Sequence, residues 1–253
     1  MLKAERLEII KSLGKENEIV SWEMLQSYLD ASRATIRRDV EELEKTGTVR
    51  KTRGGVIFPR AEGVEPSDTI RKYNNPDAKA RIGEAALSYI KDHDFIMLDS
   101  GSTVLELAKR IPKNLHLGMV TYYFEAARII ADNENTEVFL AGGKVRRNFY
   151  TCHGFMAEKM LEGFHASTFF MGADGVDVQN GITGYNSLDV PLKQIMIRHS
   201  DRVVLMCDHS KFESTAFVYI APVDEIDVVI TDSDTDEKYI KALQDKGIEV
   251  VIA

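Results

Sequence analysis

Ser32-Arg33-Ala34-Thr35-Ile36-Arg37-Arg38-Asp39-Val40 decides how this chain begins. Ser32 suits a helix N-cap, because its hydroxyl accepts from a first-turn amide. Ile36, Val40 and Leu43 recur at i, i+4 and i+7 as one apolar stripe. Arg38 falls opposite that stripe and Arg37 to one side, so the helix buries one flank and carries guanidinium groups outward near its start. Glu41, Glu42 and Glu44 make the other half acidic. A polyanion is therefore expected to meet the helix by its first two turns, as a recognition helix meets the major groove. A surface helix with solvated arginines is the plainer alternative.

The flanking sequence extends this pattern. Residues 3–13 read as a first helix closed by Gly14. Ser21 caps a second helix over residues 22–29, and the third runs to about Lys45, where Thr46-Gly47 closes it. Helix, helix, short turn and helix in under fifty residues fit a helix-turn-helix. Residues 48–57 then read as a β-hairpin wing, with Arg50, Lys51 and Arg53 near the phosphates beside the groove.

Charge supports the division. The chain has 253 residues and a net charge of −8. Residues 31–60 hold eight Lys/Arg against four Asp/Glu, whereas residues 61–253 hold twenty against thirty. A small basic element is attached to a large acidic body that would not bind phosphate backbone non-specifically. No apolar run is long enough to span a bilayer, and the N-terminus lacks a signal-peptide h-region. Cys152 and Cys207 read as two reduced thiols in a cytoplasmic protein. The six histidines are scattered, so neither a metal site nor a cofactor is expected.

Residues 58–75, broken by Pro59, Gly63 and Pro66, read as a linker with a short helix near 67–72. From residue 76 to 253, apolar strand-like runs alternate with helical periods, which implies a mostly parallel, doubly wound α/β sheet covered on both faces. Ligands of such sheets bind at the carboxyl ends of the strands. Asp99-Ser100-Gly101-Ser102-Thr103 follows the first strand and leads into a helix N-terminus, a setting suited to a phosphate. Gly142-Gly143 with Arg146, then Asp174, then Asp208 and Lys211 follow later strands.

Thr35-Ile36-Arg37-Arg38-Asp39-Val40-x-x-Leu43 with Arg53-Gly54-Gly55 resembles the DeoR family of bacterial sugar-catabolism regulators. The body resembles that family's sensor domain in Asp99–Thr103, Val120-Thr121, Gly142-Gly143, Gly172-x-x-Gly175, Gly181-Ile-Thr183, Lys193 and Asp208-His-Ser-Lys211-Phe212. The resemblance implies a winged helix-turn-helix over residues 1–57 and an α/β sensor similar to ribose-5-phosphate isomerase over residues 76–253. It implies a repressor that binds double-stranded operator DNA as a homo-dimer or homo-tetramer and is modulated by a phosphorylated sugar. Ser21, Ser32, Arg33, Thr35, Arg37, Arg38, Arg50, Lys51 and Arg53 are the DNA-contact candidates. Asp99, Ser100, Gly101, Ser102, Thr103, Thr121, Tyr122, Gly142, Gly143, Arg146, Asp174, Asp189, Lys193, Asp208 and Lys211 are the effector candidates. Two positions depart from the family pattern: Tyr122 stands where Asn is common, either stacking on a sugar or filling the pocket wall, and Asp189 stands where Glu is common. A sugar-phosphate isomerase with an accessory head is the alternative, although Gly175 replaces the Glu of the isomerase's Gly-Ala-Asp-Glu string. A protein-binding winged helix is a third, disfavoured by the basic residues.

Overall fold

Both serines expected to cap helices do so. Ser21 Oγ accepts from the Met24 amide at 3.0 Å and Ser32 Oγ from the Thr35 amide at 3.2 Å. A computed structural model describes residues 1–59, 65–212 and 214–253, and these form two units, Met1–Asn74 and Asn75–Ala253. The first contains α1 (Lys3–Glu16), β1 (Ile19–Ser21), α2 (Trp22–Tyr28), α3 (Arg33–Lys45), β2 (Arg50–Lys51) and β3 (Gly55–Ile57). The strands pair antiparallel in the order β1-β3-β2. Ile10, Leu25, Ile36, Val40 and Val56 are buried together as the core, so the stripe read on the third helix is its inner face. Gly47 ends α3 at a φ of +70°, with Thr48 donating to the Leu43 carbonyl.

Gly14 does not end the first helix, which runs on to Glu16. A Cβ at position 14 would lie 2.1 Å from the Phe58 ring, so this glycine admits a packing partner rather than a turn. Phe58 thus joins the core of the first unit, although its place next to Pro59 marks it as the first linker residue in the sequence. Residues 60–64 of the expected linker lie outside the described residues. Its short helix is α4 (Asp68–Tyr73), capped by Ser67.

In the second unit, α5 (Pro76–Ala86), β4 (Phe95–Leu98), α6 (Ser102–Ala108), β5 (Leu117–Thr121), α7 (Phe124–Ile130) and β6 (Thr136–Leu140) come first. A hairpin of β7 (Lys144–Arg146) and β8 (Thr151–His153) follows, then α8 (Phe155–Leu161) and β9 (Thr168–Gly172). The remainder is β10 (Gly175–Asp177), β11 (Gly181–Gly184), α9 (Asp189–Arg198), β12 (Val203–Met206), β13 (Val218–Ala221), β14 (Val228–Thr231), α10 (Glu237–Asp245) and β15 (Glu249–Ile252).

The expected parallel sheet is present, with strand order β15-β14-β12-β9-β4-β5-β6. Alternate residues serve opposite faces: Met97, Phe169, Leu205 and Val229 enter one core, and Ile96, Leu98, Phe170, Val204 and Ile230 the other. The chain lays β5 and β6 on one side of β4 and β9 onward on the other, so the topological switch point lies between β4 and β9. Two parts are additions to the sequence reading. The β7–β8 hairpin and the antiparallel sheet β10-β11-β13 are short strands whose apolar residues give no clear alternation.

Candidate functional site

In the first unit, α3 presents Arg33, Arg37 and Arg38 on exposed positions. Arg37 lies over the Trp22 ring, 5.5 Å from its centroid, and Arg33 approaches Glu23 at 3.9 Å. Thr35 is tied to the cap, its hydroxyl 2.9 Å from Ser32 Oγ. Asp39 is buried, and Arg6 of α1 donates to both its oxygens, at 2.7 and 3.3 Å. That pair clamps α1 against α3 and raises the Arg6 pKa, chiefly through the hydrogen bond to Asp39. Nothing in the spacing marks Arg6 as its partner.

The acidic half of α3 has a use that composition did not reveal. Glu44 accepts from the Lys51 amide at 2.6 Å, and Glu41 accepts from the Lys51 ammonium at 2.7 Å. The Lys51 hydrogen bond and charge hold the Glu41 carboxyl below its ordinary range. Lys51, expected near phosphates, therefore fastens the wing to α3. Trp22 holds the wing from the other side, its Nε1 donating to the carbonyls of Thr52 and Arg53 at 3.3 and 3.1 Å. Arg50 and Arg53 remain exposed on the hairpin.

In the second unit, the switch point carries a buried polar network. Asp99, directly after β4, is fully buried. Its Oδ2 accepts from the Gly172 amide at 2.8 Å and from Lys193, and its Oδ1 accepts from the Tyr122 hydroxyl. Lys193 Nζ also donates to the Gly172 carbonyl at 2.9 Å. Burial, with the Asp99 and Asp189 charges, pushes the Tyr122 phenol well above its ordinary pKa, so it is a hydrogen-bond donor at every physiological pH. Ser100 Oγ lies 3.1 Å from that hydroxyl. The Tyr122 ring is completely buried, which leaves no open face for a sugar to stack on. Thr121 is buried too, and its hydroxyl accepts from the Tyr123 amide at 3.0 Å.

The turn itself is open. Gly101 has a φ of +116°, which an L side chain rarely adopts, and a Cβ there would meet nothing within 4 Å. Ser102 and Thr103 form the first turn of α6 and are mostly buried. His153, which sequence reasoning missed, extends the network. Its ring meets Tyr122 edge-on at 6.0 Å, its Nε2 lies 2.8 Å from Thr151 Oγ1 and 3.5 Å from Asp189 Oδ1, and its Nδ1 lies 3.3 Å from the Leu188 carbonyl. A lone histidine in a short strand carries no spacing signal.

The structure does not gather all the candidates. Gly142 and Gly143 follow β6, and Arg146 stacks on Phe149 at 3.8 Å. Asp174 accepts from the Tyr185 amide at 3.2 Å. Asp208 forms a separate cluster, accepting from Asn75 at 2.8 Å and from Ser210, with the Lys79 ammonium 4.0 Å away. Burial opposes ionisation of Asp208, but the Ser210 hydrogen bond, the Lys79 and Lys211 charges and Asn75 outweigh it and hold its pKa low. Through Oδ1, Asp208 thus holds the start of α5 and the turn that bears Lys211. At the opposite edge of the sheet, Asp92, His93 and His116 lie together although the histidines read as scattered. Those imidazoles stack at 5.1 Å between centroids, and one ion cannot lie in both planes of a stacked pair.

Next to Asp208, His209 Nδ1 lies 2.7 Å from the buried Asp232. Burial lowers the His209 pKa, but the bond and charge of Asp232 prevail and leave it raised above 6.5. A raised histidine stabilises the fold fully below its unfolded pKa and loses that contribution as pH rises through the folded value. His209→Gln is therefore expected to destabilise the protein more at pH 6 than at pH 9, as measured by urea denaturation at both. An equal loss at the two values would exclude a charged pair.

Comparison with known proteins decides the family. Residues 6–62 match the model of the DeoR-like helix-turn-helix domain, and residues 74–233 that of the DeoR C-terminal sensor domain. The chain belongs to the DeoR family. It is a DNA-binding transcriptional regulator. The DeoR-family chain is 31% identical over 253 residues to the HTH-type transcriptional regulator GolR of Listeria innocua, covering 100% of both. It is also 31% identical to the HTH-type transcriptional repressor GlcR of Bacillus subtilis, over 100% of this chain and 97% of that protein. A ribose 5-phosphate isomerase A structure from Methanocaldococcus jannaschii overlaps 55% of each chain at 20% identity and a TM-score of 0.41. The isomerase alternative falls with the family assignment. Geometry agrees at position 175, where a Cβ would lie 2.3 Å from the Ser214 carbonyl oxygen, so the missing glutamate has no room.

Proposed function

We propose that this DeoR-family chain represses a carbohydrate-catabolism operon, and that a phosphorylated sugar bound by the second unit modulates its hold on operator DNA. The observation that carries the effector reading is the open Gly101 turn at the switch point, the part of an α/β sheet where ligands enter. The turn's backbone amides and Ser100 would receive the phosphate. Lys193 is neutralised by Asp99, so in this reading it shapes the pocket floor and does not meet the anion. The relative named GlcR, a transcriptional repressor, supports the sign of regulation. Two heads meeting two half-sites imply a symmetric oligomer, at work in the cytoplasm. No helix among the described residues is long and apolar enough to cross a membrane.

Thermal-shift screening against phosphorylated sugars tests the effector reading, because a ligand bound only by the native state raises the melting temperature. Its hit must then change operator affinity, since an effector acts only by binding the DNA-bound and free arrangements unequally. A panel without a hit, using protein that binds operator normally, would sink the effector reading and leave DNA binding intact.

Tyr122→Asn is expected to widen the range of sugars bound, because it removes a buried ring from the wall beside Ser100. The same change costs about 3 kcal/mol of stability through the cavity it leaves. The same ligand panel and a denaturation curve read the two effects; an unaltered ligand range would place Tyr122 outside the pocket.

A further inference from the structure

Six large apolar side chains of the second unit gather around the β7–β8 hairpin: Phe124, Val145, Tyr150, Phe155, Met156 and Leu188, each between 44 and 68% exposed. The segments that bear them are joined through the backbone. Phe124 donates its amide to the Tyr150 carbonyl at 2.9 Å, Phe155 follows β8 after one residue, and the Leu188 carbonyl lies against His153. Together they expose on the order of 600 Å² of apolar surface, taking about 200 Å² for a large side chain. That is the upper end of what monomers tolerate and approaches the roughly 800 Å² per partner of a stable interface. The loop that presents Tyr150 is strained, with Asn148 at a φ of +66° and Tyr150 at +56°. Left-handed backbone at a bulky residue costs energy and persists where surrounding structure or function requires it.

We propose that this face seats a second copy of the chain, making a two-fold dimer across the rim of the effector site. A two-fold interface must complement itself, and this one carries both signs: Lys144 and Arg147 on the hairpin, Glu125 and Glu158 on the flanking helices α7 and α8. A partner of one charge sign would not match such a mixed rim. The back of the hairpin is bonded to the network at the switch point, since the Cys152 amide donates to the Tyr122 carbonyl at 2.8 Å and His153 meets the Tyr122 ring. A ligand that shifts Tyr122 therefore pushes on the dimer contact. This goes beyond the effector reading and does not depend on which sugar binds.

Sedimentation equilibrium of the full chain, from nanomolar to tens of micromolar, tests it. The wild type is expected to dimerise. The double variant Phe155→Glu/Met156→Glu is expected to raise the dimer dissociation constant at least about 100-fold, the size of a lost hot spot. Phe217→Glu, a still more exposed apolar site on another edge, is expected to leave it unchanged. Circular dichroism checks the fold, and Val145→Arg repeats the test on the hairpin if the double variant does not fold. A wild type that stays monomeric throughout, or folded patch variants that dimerise like the wild type, would overturn the proposal. Operator binding measured on the same wild-type sample separates these outcomes from failure of the regulatory reading.

Discussion

Arg38→Ala is expected to reduce operator affinity on the order of 1,000-fold while leaving the melting curve and effector-induced shifts unchanged. Arg38 is exposed on α3 opposite the buried Ile36–Val40 stripe, so its removal disturbs no core. A lost base contact from a recognition helix costs about 1–3 kcal/mol, and the symmetric oligomer proposed above would lose two of them. Arg37→Ala should cost less specificity, because the Arg37 guanidinium is partly held over Trp22. Fluorescence anisotropy with operator and scrambled duplexes at two salt concentrations reads the effect. A loss equal on both duplexes would make Arg38 a phosphate contact, and no loss would remove α3 from the groove.

Lys193→Met is expected to be the most destabilising substitution in the second unit. Its ammonium is buried against the fully buried Asp99 carboxylate and the Gly172 carbonyl. Removing one partner leaves the other charge uncompensated, which costs about 3–5 kcal/mol. With only the Gly172 amide and the Tyr122 hydroxyl remaining on Asp99, the β4–β9 junction loosens where the ligand is proposed to bind. Chemical denaturation measures the loss. Asp99→Asn/Lys193→Met, which removes both charges, is expected to recover part of it; a double variant no better than the single one would show that the pair acts through packing alone.

The elements that periodicity could reveal were legible. The stripe Ile36-Val40-Leu43 specified the inner face of α3, and continuous apolar runs such as Val203–Met206 marked strands buried on both faces. Gly14 shows the opposite case. A glycine near a helix end reads as a terminator, but here Phe58, 44 residues on in the chain, occupies the space of its missing side chain. Lys51 was legible as basic but not as a fastener, because its partners Glu41 and Glu44 are chosen by how the wing folds back on α3.

What the amino-acid string determined by itself is local: caps, apolar stripes, the alternation of the parallel strands with helices, and the basic head on an acidic body. These follow from interactions within a few residues and from charge that needs no geometry. The tertiary structure decided which polar groups are spoken for. Asp99 meets Lys193 and Tyr122, Asp208 meets Asn75 and Lys79, and His153 meets Asp189. A buried polar atom needs a partner, and here most of those partners come from helices that cover the sheet, Lys193 and Asp189 on α9 and Lys79 on α5, at sequence distances that no spacing rule encodes.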